Sequence, residues 1–265
     1  MTESLNFYDT IGRQYSQVRE ADPRVTEMLL RELALQPGKC IADVGAGTGN
    51  YALALAERGY HVRAVEPSQV MLSQARPHPQ VQYSQGYAEE LPLENAGVDA
   101  MICVNAIHHF RDLDRAVREM DRVCNEGRIV ILTADVRLAE SYWFNDYFPD
   151  VFDNNLLRFQ PLNDLVVRLR RVSRRRVWIT PLRIPHDFAD LFCGAAWSRP
   201  QACLSPTFRS CWSSLTSVSL RSVEDGLRRL AKDLETGEFR RRYPDLQRRQ
   251  EMDLGIRILT LLPRT

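Results

Sequence analysis

Between positions 38 and 133, short uninterrupted apolar runs alternate with amphipathic segments. Cys40-Ile-Ala-Asp-Val44 reads as a buried strand, closed by glycines at 45, 47 and 49. Asn50 to Arg58, carrying Tyr51, Leu53, Leu55 and several alanines, predicts a helix stopped by Gly59. His61–Glu66 is a second strand, Pro67-Ser68 opens a helix through Met71, Leu72 and Ala75, and Val81–Ser84 is a third strand. Val98–Val104 has almost no polar side chain and predicts a fourth strand. A helix over 113–123 then leads into a fifth, Arg128–Thr133. Strands this apolar, separated by helices, predict a parallel sheet covered on both faces, with right-handed crossovers.

The alternation breaks after residue 134. Apolar residues at 162, 165, 166, 169 and 172 predict a helix over 162–172, and Val177–Ile184 a sixth strand. Residues 188–242 read as helices and loops around Trp197, Pro200, Pro206 and Trp212, and 255–262 as a last strand. No internal repeat or low-complexity linker divides the chain, so 1–265 is read as one domain. Its parts are N-terminal cap helices (1–36), a ligand-binding core (37–135), a core continuation (136–187), a helical lid (188–245) and the last strand (246–265).

The 265 residues, 44% hydrophobic and 26% charged, suit an ordinary globular protein and exclude disorder or a disulfide-dense miniprotein. No apolar run approaches the roughly 18 residues of a membrane span, and Met1 to Tyr8 lacks a secretory pattern. The cysteines at 40, 103, 124, 193, 203 and 211 form no C-x-x-C pair, so a reducing cytoplasm is expected. Net charge is +1, unevenly spread: residues 1–160 hold 15 basic against 23 acidic side chains, and 161–265 hold 20 against 11. The basic half either meets something anionic or consists of solvated helix faces and internal ion pairs.

Asp43-Val-Gly-Ala-Gly-Thr-Gly-Asn50 lies at a strand-to-helix turn, where alternate glycines let backbone approach a ligand. Asn50 stands where the dinucleotide fingerprint requires its third glycine, and no G-K-[ST] follows. Glu66, at the end of the second strand, can accept both hydroxyls of a ribose and would repel a 2′-phosphate.

With Glu66-Pro-Ser-x-x-Met71, Gly86-x-Ala-Glu-x-Leu-Pro92 and Val98-Asp-Ala, this loop resembles the class I S-adenosylmethionine-dependent methyltransferases, type 11 group. The likeness runs from about residue 7 to 133. It implies a Rossmann-like, doubly wound α/β sheet of seven strands, order 3-2-1-4-5-7-6, the last antiparallel. It also implies S-adenosyl-L-methionine as cofactor, its methionyl part over Asp43, Gly45, Ala46, Gly47, Thr48 and Gly49. The ribose would meet Glu66, and the adenine Pro67, Met71, Tyr87, Ala88 and Glu89. Many relatives have Asp at position 87, so Tyr87 points to stacking or backbone contacts instead. Tyr8 and Tyr15 resemble the family's N-terminal helix, which folds over the cofactor. In the second half, His186-Asp187 and Ala196-Trp-Ser-Arg-Pro200 match a broader set of relatives and make Asp187, Trp197 and Arg199 substrate candidates.

Methyl transfer needs a close, aligned nucleophile, and a base only where that nucleophile must lose a proton. Val104-Asn-Ala-Ile-His108-His109 lies where this fold brings the transferred methyl. Asn105 is a cofactor contact there, and His109, His108 and then His186 are the candidate bases. Asn105-Ala-Ile-His108 departs from the [DNS]-P-P-[YFW] of nucleic-acid amino-methyltransferases, and no carboxylate pair near strand four suggests a metal. The expected activity is methylation of a small biosynthetic or natural-product molecule. The alternatives are a tRNA or rRNA methyltransferase using the six arginines of 168–176, and a cofactor-binding protein without catalysis.

Overall fold

The computed structural model describes residues 18–139, 141–210, 212–215 and 218–264. One sheet contains β1 (Cys40–Val44), β2 (His61–Glu66), β3 (Val81–Gln85), β4 (Ala100–Val104), β5 (Ile129–Ala134), β6 (Val177–Pro185) and β7 (Glu251–Leu261). Its order is β3-β2-β1-β4-β5-β7-β6, parallel except for β7, which runs antiparallel to β5 and β6. This is the doubly wound sheet that the motifs imply.

Period-2 alternation sorts the strands' side chains onto two faces. Ile41 and Ile102 join one core with α1 (Pro23–Leu33) and α2 (Asn50–Ala56), whereas Ala42, Met101 and Cys103 join the other. The first crossover after β2 holds α3 (Gln69–Leu72), which stops three residues before Ala75; Met71 N–H donates to the Ser68 hydroxyl at its start. The second core is covered by α4 (Leu113–Val123) and, further along, by a helix over Leu162–Ser173. Arg168 and Arg171 reach Asp114 across these helices, at 2.5 and 2.9 Å.

Two strand boundaries differ from the sequence reading by more than one residue. β4 starts at Ala100, because Asp99 exchanges both its N–H and its carboxylate with Cys40 and closes the entry to the strand. β7 starts at Glu251, so Gly255 lies inside the strand, at φ +75°, and not at its beginning. The register against β6 shifts there, and a Cβ on Gly255 would stand 2.0 Å from the Asp135 carbonyl oxygen. The glycine therefore marks a bulge.

Two helices between β5 and β6 escape the sequence reading: α5 (Trp143–Tyr147) and α6 (Pro149–Arg158), followed by α7 (Leu162–Ser173). Between β6 and β7 come α8 (Pro206–Arg209), α9 (Leu220–Glu235) and α10 (Glu238–Arg242). α5 packs with the segment between β6 and β7 through aromatic rings, Trp143 on Phe239 at 5.1 Å and Phe144 on Trp212 at 5.4 Å between centroids, and Phe208 meets Trp212 in turn at 5.0 Å. Trp143 is fully buried and donates its indole N–H to the Trp197 carbonyl at 2.8 Å. Truncating such a side chain costs about 3–5 kcal/mol, so 143–158 and the described residues of 188–245 hold together as one cap. No helix among the described residues is long and apolar enough to cross a membrane.

Candidate functional site

The strand order reverses on either side of β1, and there the carboxyl ends of β1, β2 and β4 open into a chamber. Gly45, Gly47 and Gly49 have φ of +75°, +60° and +78°, a backbone region that favours glycine at those three positions of the loop after β1. A Cβ on Gly45 would meet that of Ala106 at 2.4 Å. One on Gly47 would stand 3.3 Å from Met71 Cε. Glu66 braces the loop: its Oε2 accepts the Gly47 N–H and its Oε1 the Ser68 N–H, both at 2.9 Å. Burial raises its carboxyl pKa. Asp43 is more perturbed; burial and the charge of Glu66 push it up to about 7. The Thr48 hydroxyl oxygen is buried without a hydrogen-bond partner, an opening left for a ligand atom.

Asp43, Gly45, Ala46, Gly47, Thr48, Glu66, Pro67, Met71, Tyr87, Ala88, Glu89, Asn105 and His109 all line this chamber. Gly49 does not. A Cβ there would strike the Tyr83 hydroxyl at 2.5 Å and its ring at 2.6 Å, so that glycine admits the packing of β3 and lies away from the chamber wall. Glu89 accepts N–H groups from Arg111 and Asp112, tying the 87–89 segment to the turn after β4. The Arg111 guanidinium lies 5.0 Å from the centroid of the Tyr87 ring, giving the chamber a flat platform. Tyr8 and Tyr15 lie outside the described residues.

A second chamber adjoins the first, under the cap. The two share Arg19, Asn105 and His109. Asn105 adopts a left-handed φ of +53° while its N–H donates to the Leu132 carbonyl at 2.9 Å; asparagine tolerates this backbone best after glycine. It turns the chain from β4 directly at the seam. His108 and His109 follow, with ring centroids 4.0 Å apart, and His108 lies 4.2 Å from Phe159. Burial, with Arg158 nearby, pushes His109 down to about 3 and His108 well below the imidazole range. Both rings are neutral near pH 7. A base of such low pKa holds a proton poorly, which weighs against the base role expected of them.

Four candidates of the second half line neither chamber. Asp187 is ion-paired with Arg24 at 2.6 Å, and His186 is exposed beside the Gln250 carbonyl. Arg199 donates to the carbonyl of Phe188 at 2.7 Å. Trp197 is fully buried and borders a separate hollow, where Ser198 and Pro200 meet Leu234 and Gly237. The pattern that nominated these residues is therefore a packing pattern of the cap.

Arg19 and Asp190 were not read from the sequence. They form a bidentate pair at the chamber wall, and Asn50 donates to the Arg19 carbonyl. Asp22 continues the clamp by accepting N–H groups from Arg24 and Ala189. The partners are 171 and 167 positions apart, so no local pattern links them. The aromatic walls of the second chamber, including Tyr142, Phe144, Phe152 and Phe159, also escaped notice. Their only signal was the aromatic density of residues 142–148.

The methyltransferase-domain family model matches residues 42–132. A ubiquinone/menaquinone biosynthesis C-methyltransferase of Rubrivivax gelatinosus is 38% identical over 100 residues, 37% of this chain and 40% of its own. The chain spans about half the length, or less, of the curated relatives it matches. A solved structure from Anabaena variabilis, described as a methyltransferase from an antibiotic biosynthesis pathway, is 44% identical with a TM-score of 0.89. That likeness covers 92% of this chain and 98% of the other. Phosphoethanolamine N-methyltransferase 2 of Haemonchus contortus, solved with S-adenosyl-L-methionine, covers all of this chain and 61% of its own at TM-score 0.63; with 15% identity it shares the fold alone. On the near-complete match in sequence and structure, with the strand order and glycine loop described above, the chain belongs to the class I S-adenosylmethionine-dependent methyltransferases, type 11 group.

Proposed function

We propose that this protein methylates a small organic molecule held in the second chamber, using S-adenosylmethionine held in the first. One observation carries the reading: the two chambers meet at Asn105 and His109, at the carboxyl end of β4. Bound S-adenosylmethionine supplies an activated methyl group. Gly45–Thr48 would cradle its methionyl part, the orphaned Thr48 hydroxyl taking one polar atom, and Glu66 would accept the ribose hydroxyls. Tyr87 with Arg111 would face the adenine.

The chain's own contribution is alignment and exclusion of water. Asn105 and His109 hold the seam, and the aromatic cap covers it, so proximity supplies most of the acceleration. Neutral His108 and His109 orient an acceptor amine or hydroxyl; its proton leaves on the methylated product and passes to water when that product is released. The names of relatives, quinone biosynthesis and an antibiotic pathway, agree with a small biosynthetic acceptor.

The arginines of 168–176 weigh against RNA. Arg168 and Arg171 are paired with Asp114 and Arg170 donates to the Val177 carbonyl. Arg175 is buried against Asp121 at 2.7 Å. Methyl-labelled S-adenosylmethionine, incubated with the protein and either a metabolite extract or an RNA extract, tests the proposal. Label is expected in a low-mass product; label in RNA alone, or in neither, would refute it.

A further inference from the structure

Resting on the reading above and deepening it, we propose that the acceptor is a neutral bicyclic aromatic compound whose ring carbonyl takes the indole N–H of Trp212. Trp212 lines the second chamber and is only 2% exposed, and its Nε1 has no hydrogen-bond partner. Its ring is fixed edge-on by Phe144 and Phe208. A buried, unsatisfied donor is costly, so the site is completed by an acceptor atom that arrives with a ligand. His108 Nδ1, on the same lining, is equally buried and unpartnered, and meets a hydroxyl.

Shape and charge narrow the class further. The cavity measures about 190 Å³. That exceeds the roughly 150 Å³ void known to hold benzene and admits two fused rings. Tyr142, Phe144 and Phe159 present faces and edges to a planar molecule. Among the described residues, Arg19 is the only lining side chain with a full charge, and Asp190 already holds it through two hydrogen bonds. An ammonium would be desolvated there without a counter-charge, and a carboxylate or phosphate would have only Arg158, which lies outside the lining and already donates to the Ser213 hydroxyl.

Three probes test this by calorimetry on the protein loaded with S-adenosylhomocysteine. They are a hydroxytetralone (a neutral bicyclic phenol with a ring ketone), the tetrahydronaphthol lacking that ketone, and a hydroxynaphthoate, which carries a charge. The hydroxytetralone is expected to bind at least tenfold more tightly than the hydroxynaphthoate. Trp212→Phe keeps the ring and removes the N–H, and should weaken the hydroxytetralone about fivefold, what one net hydrogen bond supplies. The tetrahydronaphthol should bind the variant as it binds the parent. Equal binding of the charged probe overturns the proposal, and so does a Trp212→Phe effect that is the same on both neutral probes. The selectivity among probes is measured on the unaltered protein, so it stands whatever the variant's stability. Failure of S-adenosylhomocysteine itself to bind would strike the methyltransferase reading; lost aromatic selectivity with that ligand bound strikes only the acceptor class.

Discussion

Glu66→Ala is the substitution with the most to reveal, because the carboxylate serves both the apo loop and the ligand. Its two oxygens accept the Gly47 and Ser68 N–H groups, and the residue is 7% exposed. Removing it leaves two largely buried donors to find water in a small void. At about 1–3 kcal/mol for a fully orphaned donor, with partial rescue by water, the loss of stability should be about 2 kcal/mol. For a domain of this size that lowers Tm by roughly 4–8 °C. Burial raises the carboxyl pKa, so the assay is run at pH 8; as a carboxylate, Glu66 would make charge-assisted bonds to the two ribose hydroxyls. Their loss should weaken S-adenosylmethionine by at least tenfold, about 1.4 kcal/mol. Calorimetry at pH 8 with S-adenosylhomocysteine, alongside thermal unfolding, reads both effects. A folded variant with the parent's affinity would remove Glu66 from the ribose. Parental affinity combined with a lowered Tm would leave it a loop brace only.

Gly47→Val combines a φ of +60° with a Cβ placed 3.3 Å from Met71 Cε; cofactor binding should vanish while circular dichroism shows an intact sheet, and retained binding would mean the loop stays clear of the ligand. His109→Ala and His108→Ala should lower kcat less than tenfold and act chiefly on KM, with kcat level between pH 6 and 8 because His109 titrates near 3; a loss of about 10²–10⁴ would restore the general base. Asp43 has a raised folded pKa, about 7 against 3.8, so its buried acid form favours the native state fully below about pH 4 and that advantage fades as pH rises to 7. Relative to the parent, Asp43→Asn should therefore gain stability as pH climbs from 4 to 7 in urea titrations, and a constant difference would contradict the shift.

The core from 38 to 133 was legible because its signals are local. Buried parallel strands must be apolar along their whole length, and a ligand loop must carry glycine where φ is positive, so order and position can be read from neighbouring letters. Gly45, Gly47 and Glu66 were nominated this way, and the type 11 resemblance supplied Met71, the strand order and the antiparallel β7. Gly255 shows the limit: in sequence a glycine looks like a strand end, and only its approach to the Asp135 carbonyl reveals a bulge. Of the histidines expected near the methyl, His109 lies at the seam, His108 beside it and His186 outside both chambers; the neutrality of the first two depends on burial beneath a cap contributed by described residues of 139–159 and 192–214. Trp197, Arg199 and Asp187 had the right chemistry for a pocket and were spent on packing, carbonyl contacts and Arg24. Arg19 finds Asp190 across 171 positions, whereas the Trp212 indole N–H finds no hydrogen-bond partner. Composition and periodicity report what a residue can do with its neighbours in the chain. Which polar group is satisfied, and which is left open to a ligand, is settled only when distant segments meet.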